Sequence, residues 1–178
     1  EIFLWGIQLE AGSYATSYIP TIAAASTRGA DGGTTNIASL VNASEGVLFL
    51  DYTPNNIVDG FPVDFQLQFS GTNAVNGVTI FHSGATPAAS VRSGGVVVAS
   101  FAGTAVTAGA STKVAIAYKA NDFTMYQNGV LIGTDTSGAA PISLNEIRIS
   151  DGARHFSIKQ ALIFKTRLTN AQLAELTA

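Results

Sequence analysis

Short apolar runs recur along this 178-residue chain, separated by clusters of Gly, Asn, Ser, Thr and Pro, and helical periodicity is nearly absent before the C-terminus. That rhythm belongs to sandwiches and barrels, whose half-buried strands are brief and punctuated by turn residues. The spacing predicts strands near 2–9, 46–52, 63–70, 78–82, 89–92, 95–101, 112–119, 123–127, 130–134, 144–150 and 155–165. Between the first two, Glu10 to Gly33 is too rich in Gly, Ser, Thr and Ala for regular structure and reads as a lead-in. The length suits one all-β sandwich, and a hydrophobic share of 47% is enough to fill its core without staples.

Two local signals fix hairpins. In Phe123-Thr124-Met125-Tyr126-Gln127-Asn128-Gly129-Val130-Leu131-Ile132-Gly133, Asn128-Gly129 tolerates the positive φ that a type I′ turn needs, between β-prone flanks. A second turn is expected at Ser93-Gly94-Gly95. Near the end, Thr169 with Gln172 forms a capping box, and Leu168 and Leu173 stand at the positions of a hydrophobic staple. The helix they start is too short to stand alone, so it must dock on the sandwich.

Composition excludes several function classes. Only 12% of residues are charged, about half the usual share of about 25%, so Ser, Thr, Asn, Gln and Gly build the surface. Such a surface suits an exterior protein or a large assembly. Net charge is −3 with no basic cluster, which removes nucleic acid as a partner. No apolar run reaches the roughly 18 residues of a membrane span, so membrane insertion is not expected. The start, Glu1-Ile2-Phe3-Leu4-Trp5, lacks the basic region and cleavage site of a signal peptide. Without Cys there is neither a disulfide framework nor a thiolate metal site.

Catalytic constellations are missing too. The two histidines, His82 and His155, stand in no nucleophile arrangement, and the acids are scattered beside turns rather than paired across a strand as a glycosidase would need. The chain therefore reads as non-enzymatic, with no required cofactor. Calcium is the one metal to consider: Asn55-Asn56-Ile57-Val58-Asp59-Gly60 offers loop oxygens, Asn56 and Asp59 foremost, against the plainer reading of a solvated turn. For saccharide binding, which uses exposed aromatics, amides and Arg, the candidates outside obvious core positions are Phe61, Asn76, His82, Arg92 and His155. Each has an equally ordinary reading as a surface or core-capping residue.

The block Val114-Ala115-Ile116-Ala117-Tyr118 followed by Phe123 to Gly133 resembles the signature hairpin of laminin-G-like, or concanavalin A-like, jelly-roll domains. The ending is similar as well: Ile147-Arg148-Ile149-Ser150-Asp151-Gly152, a strand over Phe156–Phe164, then Arg167-Leu168-Thr169-Asn170-Ala171-Gln172-Leu173. Gln172 replaces the family's usual Glu, and His155-Phe156-Ser157-Ile158-Lys159 departs from its usual turn. The resemblance implies a two-sheet antiparallel jelly-roll sandwich over 34–178 with a short C-terminal helix. Leu48, Phe65, Leu67, Phe69, Ile80, Val97, Val114, Ile116, Met125, Leu131, Ile147, Ile149, Leu162 and Phe164 are then expected in its core.

The front end, Leu4-Trp5-Gly6-Ile7-Gln8-Leu9-Glu10-Ala11-Gly12-Ser13 through Tyr18-Ile19-Pro20-Thr21, then Thr27-Arg28-Gly29-Ala30-Asp31, resembles a domain junction of bacteriophage and prophage tail-fibre and structural proteins. It implies that 1–33 is the end strand of a preceding domain plus linker, so that the chain is the C-terminal part of a longer protein. The implied role is a receptor-binding domain of a tail fibre or virion protein, acting outside the cell on bacterial surface polysaccharide without cleaving it. The implied assembly is a homotrimer. The alternative is a structural trimerisation or decoration module without a glycan ligand.

Overall fold

The structure, a computed structural model, describes residues 32–55, 64–68, 75–150 and 156–178. Among them the strands are β1 (Gly32–Asn36), β2 (Glu45–Pro54), β3 (Asp64–Gln68), β4 (Gly77–Ser83), β5 (Thr86–Ser93) and β6 (Val96–Ala102). The chain continues through β7 (Thr112–Lys119), β8 (Phe123–Gln127), β9 (Val130–Asp135), β10 (Glu146–Ser150) and β11 (Phe156–Phe164) to one helix, α1 (Asn170–Thr177). They form a two-sheet antiparallel jelly-roll sandwich, with one sheet ordered β1-β10-β3-β4-β5-β6 and the other β11-β2-β7-β8-β9. The expected strand at 2–9 lies outside the described residues. β1, in contrast, was not expected: Gly32-Gly33-Thr34-Thr35-Asn36 has no apolar residue, and pairing with β10 makes it a strand.

The larger core fills the space between the sheets. Leu48, Leu50 and Tyr52 from β2 and Val114, Ile116, Met125 from β7 and β8 meet Val78, Ile80, Ala89, Val91 and Ala99 from the opposing sheet. A second core lies on the other side of the five-stranded sheet. Val47, Phe49, Ala115, Ala117 and Tyr126 are covered there by Leu173 of α1, which is fully buried. Strands β2 and β7 are therefore buried on both faces, and each reads as a near-continuous buried run.

The helix begins as the sequence requires. Thr169 Oγ1 accepts from Gln172 N at 3.3 Å, and Gln172 Oε1 accepts from Thr169 N at 2.9 Å. At its other end Thr177 Oγ1 accepts from Gly129 N at 3.1 Å, tying α1 to the β8–β9 turn. That turn has φ of 47° at Asn128 and 78° at Gly129 and connects the opposed pair Gln127 and Val130, as a type I′ hairpin does. The β5–β6 turn is likewise made by Gly94 and Gly95, both at positive φ.

Two expected core residues are corrected. Val97 is 44% exposed and Leu131 47% exposed. Each immediately precedes a β-bulge on an edge strand: the register jumps at Val98 between Val91–Ala99 and Arg92–Val97, and at Ile132 between Met125–Gly133 and Tyr126–Leu131. One extra residue exchanges the two faces of a strand. Val97 thus shares the outer face with Arg92, and Leu131 shares the outer face with Tyr126. Leu48, Ile80, Val114, Ile116 and Met125 are buried as expected, with Ile147 and Ile149 packed against them. Leu162 and Phe164 pack in the second core, and the side chains of Phe65, Leu67 and Phe69 lie outside the described ones.

Candidate ligand-binding face

One of the sandwich's two outer faces carries the docked helix, and among the described residues no helix packs on the outer face of the six-stranded sheet, which is the broad candidate surface for a ligand. The pleat assigns it. Val78, Ile80, Ala89, Val91 and Ala99 point into the core, and their neighbours Thr79, Phe81, Ser90, Arg92 and Ser100 point away. On β10 the core-packed Ile147 and Ile149 leave Glu146 and Arg148 on the same outer side.

Register aligns these residues into three rows across the strands. The middle row pairs Ser100 with Ser90, Ser90 with Thr79, Thr79 with Gln66, Gln66 with Arg148 and Arg148 with Thr34. It is hydroxyl and guanidinium wherever side chains are described. Hydrogen bonds within the described protein leave the hydroxyls of Thr79, Ser90 and Ser100 unengaged. One flanking row joins Ala102, Ala88 and Phe81 and continues through the register positions of Asp64 and Ser150; Ala88 is buried, so Phe81 and Ala102 are its accessible apolar side chains. The other holds Val97, Arg92, Gly77 and Glu146, with Gln68 as the register position between the last two. Arg92 and Glu146 are three strand spacings apart, roughly 14 Å.

Such a surface is amphipathic in stripes. Phe81 and Ala102 offer apolar contact, the hydroxyls donate and accept, and the two arginines carry directed donors. Glu146 is the one acidic side chain described on this face, and carboxylate-pair hydrolysis needs two acids about 5–9.5 Å apart. The arrangement can hold a polyhydroxylated ligand by hydrogen bonds and stacking.

Of the residues singled out in the sequence, Arg92 stands on this face and is exposed. Asn76 and His82 do not. Asn76 is 5% exposed, and its Oδ1 accepts from Gly94 N at 3.1 Å and Ile142 N at 3.3 Å, joining the β5–β6 turn to the loop before β10. His82 is 6% exposed and points inward with Ile80; its Nε2 is hydrogen-bonded to the Tyr52 hydroxyl, so the pair bridges the two sheets, edge to face with ring centroids 5.3 Å apart. Phe61, His155 and the calcium candidates Asn56 and Asp59 lie outside the described residues. Among the described residues no three His, Cys, Asp or Glu side chains gather as a metal site would require.

Burial, and secondarily the charge of Glu45, push the Tyr118 hydroxyl above its usual range; it donates to Asn42 O at 2.7 Å on the far sheet. Hydrogen bonds from the Ser137 backbone, then from its hydroxyl, hold the exposed Asp135 below the usual carboxylate range. Sequence reasoning missed Thr79, Phe81, Ser90, Ser100, Glu146 and Arg148. The only local signal was alternation with core residues, as in Val78-Thr79-Ile80-Phe81.

No family model matches the sequence, and no curated protein does. Solved structures share the fold. The CBM40 module of the Ruminococcus gnavus IT-sialidase, bound to α2,3-sialyllactose, superposes with a TM-score of 0.64 at 13% identity, covering 84% of this chain and 94% of that one. Domain 4 of AbnA, a GH43 extracellular arabinanase from Geobacillus stearothermophilus in complex with arabinotriose, gives 0.59 at 14% identity over 79% and 69%. The binding domain of botulinum neurotoxin serotype D gives 0.62 at 12% identity over 83% of this chain and 41% of that one. These are similarities of fold among jelly-roll, lectin-like domains.

Proposed function

We propose that this domain is a non-catalytic glycan-binding module: the receptor-binding part of a phage tail fibre or virion protein, acting outside the cell on bacterial surface polysaccharide. The observation that carries the reading is the striped outer face of the six-stranded sheet. There Thr79, Ser90 and Ser100 run beside Phe81 and Ala102, which matches a sugar's hydroxyl edge and its apolar ring face, with Arg148 further along the row. Two solved neighbours are described with bound saccharides, sialyllactose and arabinotriose, which supports the same use of the scaffold. Virion context rests on the likeness of the segment from Leu4 to Asp31 to tail-fibre junctions, and so does the homotrimer.

The test is an array of bacterial capsular and O-antigen polysaccharides probed with the whole chain. Reproducible capture, competed by the free polysaccharide and weakened by Arg148→Ala, supports the reading. Release of reducing ends during incubation would overturn its non-catalytic half. Light scattering tests assembly: a trimer scatters as three 18.3 kDa chains, and a single-chain mass refutes it. A second reading, a structural trimerisation or decoration module, is favoured by exposed aliphatics on the two edge strands. Val96 and Val130 are 64% and 62% exposed. Silence across the array together with a trimeric mass would select it.

A further inference from the structure

We infer that the face binds an internal stretch of a linear polysaccharide laid across the strands, about one sugar unit per strand, rather than a terminal sugar. The inference rests on the glycan reading above and adds the geometry of the ligand. Neighbouring strands stand about 4.8 Å apart, close to the length of one pyranose unit in an extended chain. The middle row repeats one kind of chemistry at that interval: Ser100, Ser90 and Thr79 on consecutive strands, then Arg148 beyond the Gln66 position. Along a strand the chemistry instead changes at every step of about 6.8 Å: Phe81 to Thr79 to Gly77 on β4, and Ala88 to Ser90 to Arg92 on β5. A chain lying along the row therefore keeps its hydroxyl edges on Ser100, Ser90 and Thr79 over three consecutive strands, with Ala102 and Phe81 flanking its rings. A chain lying along a strand would trade hydroxyl, aromatic and charged surroundings from one unit to the next.

The row is also open at its β6 end. It begins on β6 and finishes on β1, the two edges of the sheet, about 24 Å apart. At the β6 end Ser100 is short and exposed, so no side chain of that strand stops the chain from continuing. Ser90 and Thr79, the next two members, are short as well, and the first long described side chain, Arg148, stands four strand spacings from Ser100. A site for a terminal sugar needs a wall against which the chain end abuts, and none stands among the described side chains of this row from Ser100 to Thr79.

The experiment uses the whole chain and two kinds of probe: the immobilised capsular and O-antigen polysaccharides, and size-fractionated oligosaccharides cut from each by partial acid hydrolysis, used as competitors. Competition is expected to strengthen with each added unit up to about five units, with five-unit fractions effective about a hundredfold below one- and two-unit fractions, as a few added hydrogen bonds would give. Ser100→Trp at one edge and Arg148→Ala about 19 Å away should each weaken the long fractions about tenfold and leave two-unit fractions within about twofold. Ser100 is exposed, so folding does not confound that variant; a matching melting temperature verifies it. One- or two-unit fractions competing as well as long ones, or only one of the two variants having an effect, would overturn the inference and leave glycan binding standing. Capture of no polysaccharide would overturn both.

Discussion

Replacing Gly129 with Val isolates the backbone contribution to the β8–β9 hairpin. Gly129 has φ of 78°, where L side chains cost energy, and Asn128 before it has φ of 47°. The added Cβ meets no clash: Ala178 Cα would lie at 3.6 Å and Ala174 O at 3.8 Å, both ordinary contacts. The penalty is therefore conformational, about 1–3 kcal/mol for a non-glycine residue held in a sparsely populated region, toward the upper end for a β-branched one. The turn is anchored on both sides. Asn128 exchanges hydrogen bonds with Lys113 through its N at 3.0 Å and its Oδ1 at 2.8 Å, and Gly129 N donates to Thr177 of the helix. A change of turn type would break these, so the valine must bear the strain. For a domain of this size about 1 kcal/mol shifts the melting temperature by about 2–4 °C, so calorimetry should show a loss of about 2–10 °C. Hydrogen exchange should quicken at the helix C-terminus as well as at the turn. An unchanged melting temperature would refute the argument, because it would mean that the type I′ geometry is not enforced.

Thr169→Ala removes the side-chain half of the capping box, the oxygen that accepts from Gln172 N, and should cost about 0.5–2 kcal/mol in denaturant melts, with faster exchange over 170–177. Tyr118→Phe should cost about 1 kcal/mol by deleting the hydroxyl that donates to Asn42 O. Because burial raises the Tyr118 pKa, its contribution is complete below the unfolded value of about 10 and fades as pH climbs through the higher folded value. The wild type should therefore lose stability above about pH 10, and the Phe variant should lose less of it over the same window. Leu131→Gln should change stability by no more than about 0.5 kcal/mol, since the side chain is on the outer face, whereas Met125→Ala, fully buried, should cost about 2–5 kcal/mol.

What the sequence disclosed and what it hid divide along the range of the interactions. The Asn128-Gly129 turn, the Thr169–Gln172 box and the apolar runs that became β2, β7 and β8 are settled within a few residues, so their local pattern sufficed. β1 was invisible because Gly32-Gly33-Thr34-Thr35-Asn36 owes its extension to β10, far away in the chain. Val97 and Leu131 were misplaced for a related reason: a bulge exists only relative to a partner strand, and one extra residue turns an inward position outward. Asn76 and His82 looked like surface groups because polarity was all the sequence offered. Burial became tolerable only once Gly94, Ile142 and Tyr52 supplied their hydrogen bonds. The candidate face is the extreme case. Ser100, Ser90, Thr79 and Arg148 are individually unremarkable residues, and their meaning is a register across four strands that no local pattern encodes. On the proposed reading, ligand preference is set by the strand spacing and the order of the rows, which belong to the fold, and is tuned by the few long side chains on the face, Arg92, Arg148 and Phe81.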